Sequence, residues 1–164
     1  MRAIVGQDAI FVLNGQRYRA ALGRGGVRVD KREGDGATPA GLLPLRRVLY
    51  RADRGTRPHA SVPVQPLAPQ DGWCDDPADQ AYNRMVRLPY PARHEELWRA
   101  DELYDVIGVL GWNDAPALPG RGSAIFLHRA RSDYAPTAGC VALVTQDLRA
   151  VLEAGLTEIL VTEG

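Results

Sequence analysis

Residues 123–144 read SAIFLHRARSDYAPTAGCVALV, and this stretch decides the fold. Its two ends, 123–128 and 139–144, are short runs of β-branched, aromatic and aliphatic residues, which favour strands over helices. The polar segment between them predicts a loop. A third run of the same kind, YDVIGVLG at 104–111, comes before them. These three runs predict the core strands of a β domain.

Weaker strand signals on both sides extend this pattern. Near the start of the chain, apolar-rich runs at 9–13 and 17–22 flank Asn14-Gly15, a dipeptide typical of hairpin turns. Residues 42–50 and 157–162 also read as strands. The chain is therefore expected to begin and end with β structure.

One helix is expected, late in the chain. Thr145 is predicted to cap its N-terminus, and Gly155 to end it. Three apolar residues between these positions share one helix face, namely Leu148, Val151 and Leu152. The sequence thus predicts a mainly β fold with a single late α-helix.

Two stretches contain too much glycine or proline to form ordinary strands. Residues 23–41 are rich in glycine and predict a shaped loop or a broken strand. Residues 53–103 carry seven prolines, which leave room only for a short helix at 93–102. A coil of that length is unusual as a linker inside a small domain. We therefore expect this middle segment, about 53–103, to form a wall or lid over a site.

Composition limits the partners. The chain has 164 residues with 20 basic and 20 acidic side chains and a formal net charge of zero, so one domain spanning 1–164 is expected. A neutral chain lacks the charge that attracts nucleic acid or anionic lipid. The longest apolar stretch, 106–112, is too short to span a membrane. Because no signal peptide is recognisable, a cytoplasmic location is expected as the sequence stands, or a periplasmic one if the native N-terminus is longer.

The sulfur and imidazole residues exclude some chemistry. The two cysteines, Cys74 and Cys140, cannot form a disulfide framework, and neither has the spacing of a zinc site. The three histidines are scattered along the chain. No metal site and no cofactor are therefore predicted.

Cys140 and His128 are the candidate reactive residues. Gly139 lets the backbone turn so that successive amides before and at Cys140 converge on one oxygen, as an oxyanion hole requires. An imidazole at the end of a neighbouring strand would take the thiol proton, and the Arg129 carbonyl would fix its tautomer. The alternative interpretations are that Cys140 is a small buried residue at the start of a core strand and that His128 has a structural role.

Three motifs together resemble a known family. They are Thr38-Pro39-x-Gly41, the strand-end His128 and the box Thr137-x-Gly139-Cys140-Val141. Their order and spacing are similar to the catalytic domain of the L,D-transpeptidases over about 3–162. The resemblance implies a β-sandwich or barrel with the middle segment inserted.

The resemblance also implies roles for individual residues. Cys140 would be the nucleophile, His128 the general base and acid, and Arg129 the residue whose carbonyl orients the imidazole. Gly139 and Cys140 would supply oxyanion-hole amides. Thr137 and Ala138 would support the loop and contact the substrate. Many family members have His at the position of Ala138, so substrate recognition is expected to differ here.

The implied substrates are peptidoglycan stem peptides or muropeptides, and carbapenems would form covalent adducts. A free ammonium of the stem would pair with Asp75 or Asp76, and a carboxylate with Arg84. Trp112 would line the same cleft. The alternative interpretations are that Asp75 and Asp76 form a turn and that Arg84 is a solvated charge. Trp112 would then only pack at the rim of the cleft.

Several functions remain open at this level. The thioester would pass to an amine in an L,D-transpeptidase, or to water in a cytoplasmic L,D-carboxypeptidase of cell-wall recycling. A non-catalytic module that binds wall peptides is a third reading. A sortase-like enzyme is disfavoured because the only arginine after Cys140 is Arg149, on the predicted helix. A papain-like enzyme is disfavoured by the order of His and Cys.

Overall fold

The computed structural model describes residues 1–164, which form fourteen strands and one helix. The strands are β1 (Arg2–Val5), β2 (Ile10–Leu13), β3 (Gln16–Ala21), β4 (Val27–Arg28), β5 (Thr38–Pro39), β6 (Gly41–Tyr50), β7 (Val64–Pro66), β8 (Asp71–Cys74), β9 (Arg84–Arg87), β10 (His94–Glu96), β11 (Val106–Leu110), β12 (Phe126–Arg129), β13 (Val141–Leu143) and β14 (Glu158–Val161). The helix α1 spans Thr145–Glu153. The predicted mainly β fold is confirmed.

Nine strands form one large sheet in the order β11-β12-β13-β3-β2-β1-β14-β6-β7. A further pairing between β11 and β6 closes this sheet into a barrel and leaves β7 outside it. The barrel interior holds a core cluster of 22 buried residues, to which α1 contributes Leu148, Val151 and Leu152. Closure removes most of the unpaired sheet edge.

The strands β11 and β12 are buried on both faces, which explains their continuous apolar runs. Leu127 faces the barrel interior, whereas its neighbour Phe126 belongs to a second cluster of nine buried residues outside the barrel. That second cluster also contains Trp73 and Leu97 from the middle segment, together with Cys140. The candidate nucleophile thus lies where the middle segment packs on the barrel.

The hairpin and the helix follow the sequence signals closely. Asn14 and Gly15 both have positive φ and join β2 to β3, as the predicted turn requires. Gly155, with φ of 101°, follows the helix end. Thr145 is the first helical residue, and Val144 stands at the N-cap without a side-chain hydrogen bond. The predicted N-cap was therefore wrong by one residue.

The middle segment contains more regular structure than its prolines suggested. β8 pairs with both β10 and β9 in a three-stranded antiparallel sheet, called here the middle sheet. The helix predicted at 93–102 is wrong, because His94–Glu96 forms β10. The prolines at 77, 89 and 91 lie in the connections between these strands, where no ladder hydrogen bond is lost.

Asn83 joins the middle sheet to the barrel. Its side-chain amide donates to the carbonyls of Trp112 and Asn113, at 2.8 and 2.9 Å. Its carbonyl oxygen accepts from Trp73 Nε1 at 3.0 Å and from the Ala124 amide at 3.1 Å. One buried side chain thus fixes the position of the middle sheet beside β12. No helix in the structure has the length and apolar character needed to cross a membrane.

Candidate active site

Parallel pairing of β12 and β13 brings the two candidate reactive residues together. His128 is in register with Ala142, and Cys140 lies immediately before β13. Phe126 and His128 are two residues apart on β12, so their side chains share the strand face that lies outside the barrel. The thiol and the imidazole therefore open toward the same cleft.

The Cys140 thiol is nearly buried and makes two hydrogen bonds. Cys140 is 7% exposed. Sγ donates to the Ala124 carbonyl and accepts the Phe126 amide, both at 3.3 Å. His128 is not among these partners, so the thiol must turn away from Ala124 to transfer its proton to the imidazole.

Thr137 fixes the loop that carries the cysteine. Its Oγ1 donates to the Cys140 carbonyl at 2.7 Å and accepts the Gly139 amide at 3.1 Å. Gly139 has φ of 139°, and a Cβ there would lie 2.8 Å from the Ala37 carbonyl oxygen. Conformation and space both require glycine at this position.

The Thr38-Pro39-x-Gly41 motif supports that loop from behind. Thr38 is fully buried, and its Oγ1 accepts the Gly23 amide at 2.9 Å. Gly23 in turn forms a parallel β-bridge with Thr137. The two motifs that are far apart in sequence therefore belong to one supporting network.

Two backbone amides remain free beside the thiol. The N–H groups of Ala138 and Cys140 have no acceptor in the protein, whereas the Gly139 N–H is taken by Thr137. The expectation that Gly139 donates an oxyanion-hole amide is corrected, because Thr137 Oγ1 already accepts that N–H. Ala138 and Cys140 are the available donors.

The imidazole of His128 has a defined tautomer. Nδ1 lies 2.8 Å from the Arg129 carbonyl oxygen, which can only accept, so Nδ1 carries the proton and Nε2 presents a lone pair. Nε2 makes no hydrogen bond in the structure. The ring packs edge to face against Tyr104, with centroids 5.4 Å apart. This arrangement presents a base to the cleft.

Burial keeps both reactive groups neutral in the empty cleft. It raises the pKa of the Cys140 thiol to about 12, and the negative charge of Glu95 adds to this effect. It lowers the pKa of His128 to about 4, although the Arg129 carbonyl opposes that shift. The resting pair is therefore thiol and imidazole, not thiolate and imidazolium.

The cleft has a volume of about 290 Å³ and is lined by residues of both charge signs. Its lining residues are Glu33, Asp75, Glu95, Arg99, Leu103, Tyr104, Ser123, Ala124, His128, Arg131, Ala135, Pro136, Thr137, Ala138 and Cys140. Thiol, imidazole, free amides and charged side chains thus share one small space.

A comparison with protein families agrees with this geometry. The model of the YkuD L,D-transpeptidase catalytic domain matches residues 6–158, nearly the whole chain. The chain belongs to this family. No curated protein matches it. Members of the L,D-transpeptidase family are generally cysteine-dependent and act on peptidoglycan peptides.

The structure places only some of the residues predicted to bind substrate in the cleft of this L,D-transpeptidase domain. Thr137, Ala138 and Asp75 line it. Asp75 is already paired with Arg93, with Nε and Oδ1 3.1 Å apart. Asp76 accepts the Ala78 amide at 2.9 Å, as the alternative turn reading predicted.

The other predicted residues lie elsewhere. Arg84 is exposed on β9 and does not line the cleft. Trp112 packs against the barrel core, and its Nε1 donates to the Arg121 carbonyl at 3.1 Å. Cys74, the second cysteine, was not predicted to bind substrate; it is fully buried, with Sγ 3.6 Å from Asp79 Oδ2. These three placements give no contact with the reacting groups.

Sequence reasoning missed several residues of the cleft. The Tyr104 hydroxyl donates to Glu95 Oε1, and Glu33 accepts hydroxyl hydrogen bonds from Tyr82 and Ser123 at 2.6 and 2.7 Å. Glu95 lies on β10, where a helix was expected, so its position could not be deduced. Arg131 follows His128 by three residues, and this nearness in sequence could have suggested it as a cleft residue.

Proposed function

We propose that this L,D-transpeptidase domain transfers an acyl group from peptidoglycan stem peptides through a thioester on Cys140. The observation that carries the proposal is the cleft in which the thiol, the unprotonated Nε2 of His128 and two free amides meet. In this proposal the scissile bond is the one between the L-centre of the diamino acid and D-alanine.

The reaction begins when His128 Nε2 takes the proton of Cys140. Catalytic hydrogen bonds often form only with substrate bound, so the thiol's bond to Ala124 is compatible with this step. The sulfur forms a bond to the carbonyl carbon, and the amides of Ala138 and Cys140 stabilise the oxyanion. The C–N bond then breaks, and the imidazolium gives its proton to the departing D-alanine amine.

The thioester is resolved by a second nucleophile. An amine of another stem gives a crosslink, which is L,D-transpeptidation, and sulfur leaves as the thiol. Water gives a shortened stem, which is L,D-carboxypeptidation. The volume of about 290 Å³ supports water as the second candidate acceptor, because it is at the lower limit for ligand sites.

Charge in the cleft supports a peptide substrate with a free carboxylate. Arg131 lines the cleft and takes part in none of the nine ion pairs of the chain. It replaces Arg84 as the residue proposed to bind the substrate carboxylate. Carbapenems, which also carry a carboxylate, are proposed to acylate Cys140.

Incubation with a disaccharide-tetrapeptide, followed by mass spectrometry, tests the function. Crosslinked dimers support transfer to an amine, and tripeptide alone supports hydrolysis. Both products should disappear in Cys140→Ala and persist in Cys74→Ala. Failure of the wild-type protein to form either product would contradict both reactions and favour a binding module.

A further inference from the structure

Glu95 is a carboxylate inside the cleft that has no ion-pair partner. It comes from the middle sheet, and its Oε1 accepts the Tyr104 hydroxyl. Its second oxygen, Oε2, makes no hydrogen bond and takes part in no ion pair. A carboxylate fixed through one oxygen, with the other free, is suited to bind a positively charged group.

Tyr104 connects this carboxylate to the reacting pair. Its ring packs edge to face on His128 and on Phe126, with centroids 5.4 and 5.7 Å apart. The Phe126 amide donates to Cys140 Sγ at 3.3 Å. The Tyr104 ring therefore lies between Glu95 and two residues of β12, which are His128 and Phe126, the donor to the thiol.

The charges around Glu95 and Cys140 are mixed. Burial raises the pKa of Glu95, and the negative charges of Asp75 and Glu33 add to that rise, so a cation bound there would favour the charged carboxylate. The Tyr104 hydrogen bond and Arg99 oppose the rise, although Arg99, which lies over the Tyr104 ring, is itself paired with Asp101 at 2.6 Å. Lys31 is buried against Asp35 at 2.5 Å. The remaining charged and titratable groups that line the cleft are His128, Arg131 and Tyr104. Neither Glu33 nor Glu95 forms an ion pair within the protein.

We propose that Glu95 is the specificity-determining residue of the cleft, binding a primary ammonium of the substrate and opposing formation of the Cys140 thiolate until that group is bound. The inference rests on the proposed function. A bound ammonium cancels the negative charge beside the thiol, so proton transfer from Cys140 to His128 becomes easier only with a cationic peptide in place. The effect of Glu95 on the pKa of Cys140 has the sign that this requires.

The test uses Glu95→Gln, which keeps the acceptor for Tyr104 and removes the charge. Alkylation of Cys140 by neutral iodoacetamide at about pH 7 should become faster by about tenfold, equivalent to about one pKa unit. Cleavage of a stem tetrapeptide with a free side-chain amine should instead become slower by about tenfold or more. Partial unfolding would also speed alkylation and slow cleavage, so the reactivity of buried Cys74 is followed in the same samples.

Three controls make the result decisive. Buried Cys74 should stay unreactive, because local opening would expose both cysteines. Exposed Glu96, the next residue on β10, serves as the matched variant Glu96→Gln and should change neither rate. The same tetrapeptide with its side-chain amine acetylated should be a poor substrate for the wild type and should lose little further activity in Glu95→Gln.

The outcomes separate this inference from the proposed function. Equal cleavage of the free and acetylated peptides by the wild type, or unchanged alkylation in Glu95→Gln, would overturn the role of Glu95 while Cys140-dependent turnover persisted. Turnover that survives in Cys140→Ala would instead overturn the proposed function.

Discussion

The two walls of the cleft differ in how they are built. One wall is the β12 and β13 pair of the barrel with the loop before Cys140, and it holds the reacting groups with backbone bridges and a buried threonine. The other wall is the middle sheet, a three-stranded sheet joined to the barrel through Asn83. In the proposed function the barrel wall carries the groups for bond breaking, and the middle sheet carries the charge of Glu95 that binds a cationic substrate. The proposed chemistry thus lies on the barrel wall, and the proposed recognition of an ammonium lies on the middle sheet.

The largest effect is expected at the barrel wall. His128→Asn removes the base while keeping a polar side chain of similar size, and kcat should fall by roughly 10³-fold. Steady-state cleavage of the stem tetrapeptide measures this. If kcat fell by less than tenfold while circular dichroism showed an intact fold, another residue would have to be the base.

Acid should weaken the same wall through His128. Its pKa is lowered to about 4 in the folded state, so between about pH 6.5 and 4 the unfolded chain binds more protons than the native one. The neutral His128 side chain therefore contributes its full stabilisation above about pH 6.5. As the pH falls to 4, the free energy of unfolding decreases by about 3 kcal/mol through this residue.

Urea unfolding at about pH 7 and pH 4 checks this value, with His128→Asn as the reference that removes the contribution of other groups. The wild type should lose about 3 kcal/mol more than the variant. Equal losses in both proteins would mean that the imidazole is protonated without cost.

The joint between the two walls should show a smaller effect. Asn83→Ala leaves the Trp73 indole and the Ala124 amide without their acceptor, and the backbone at Asn83 has φ of 58°. Together these changes should lower the free energy of unfolding by about 2 kcal/mol.

Thermal unfolding measures the loss, with Asn113→Ala as control because its φ of 51° is similar but its side chain bonds only to neighbouring loop carbonyls and an amide. If the two variants were equally destabilised, Asn83 would have no special role in holding the middle sheet.

The smallest effect is expected on the outer side of the middle sheet. Arg84 is exposed on β9 and does not line the cleft, so Arg84→Ala should leave kcat/KM within about twofold. Arg131→Ala, in the cleft, should raise KM clearly. A comparable rise in KM for Arg84→Ala would show that the substrate extends beyond the cleft described above.

The same division explains what sequence could predict. The strands β11, β12 and β13 are buried on both faces and lie in apolar runs, so their existence and the nearness of His128 to Cys140 could be expected. The middle sheet could not, because strands such as His94–Glu96 have no apolar pattern and form by pairing with β8. Its contribution to the cleft, Glu95, was lost with it.

The partial success at the Cys140 loop has a local cause. The strained glycine and the threonine could be recognised from their spacing, and both are where the motif requires them. Which amide remains free depends on the rotamer of Thr137, and a sequence does not contain that information. The free amides of Ala138 and Cys140, the proposed oxyanion donors, therefore became apparent only in the structure.

A thioester at Cys140 is the intermediate that the proposed function requires, and trapping it is the decisive experiment. Acid quenching during turnover of the stem tetrapeptide, followed by intact-mass and peptide analysis, should find the peptide lacking its terminal alanine attached to Cys140, with Cys74 unmodified. Turnover of the tetrapeptide with no adduct on Cys140, or with an adduct on Cys74, would contradict the account.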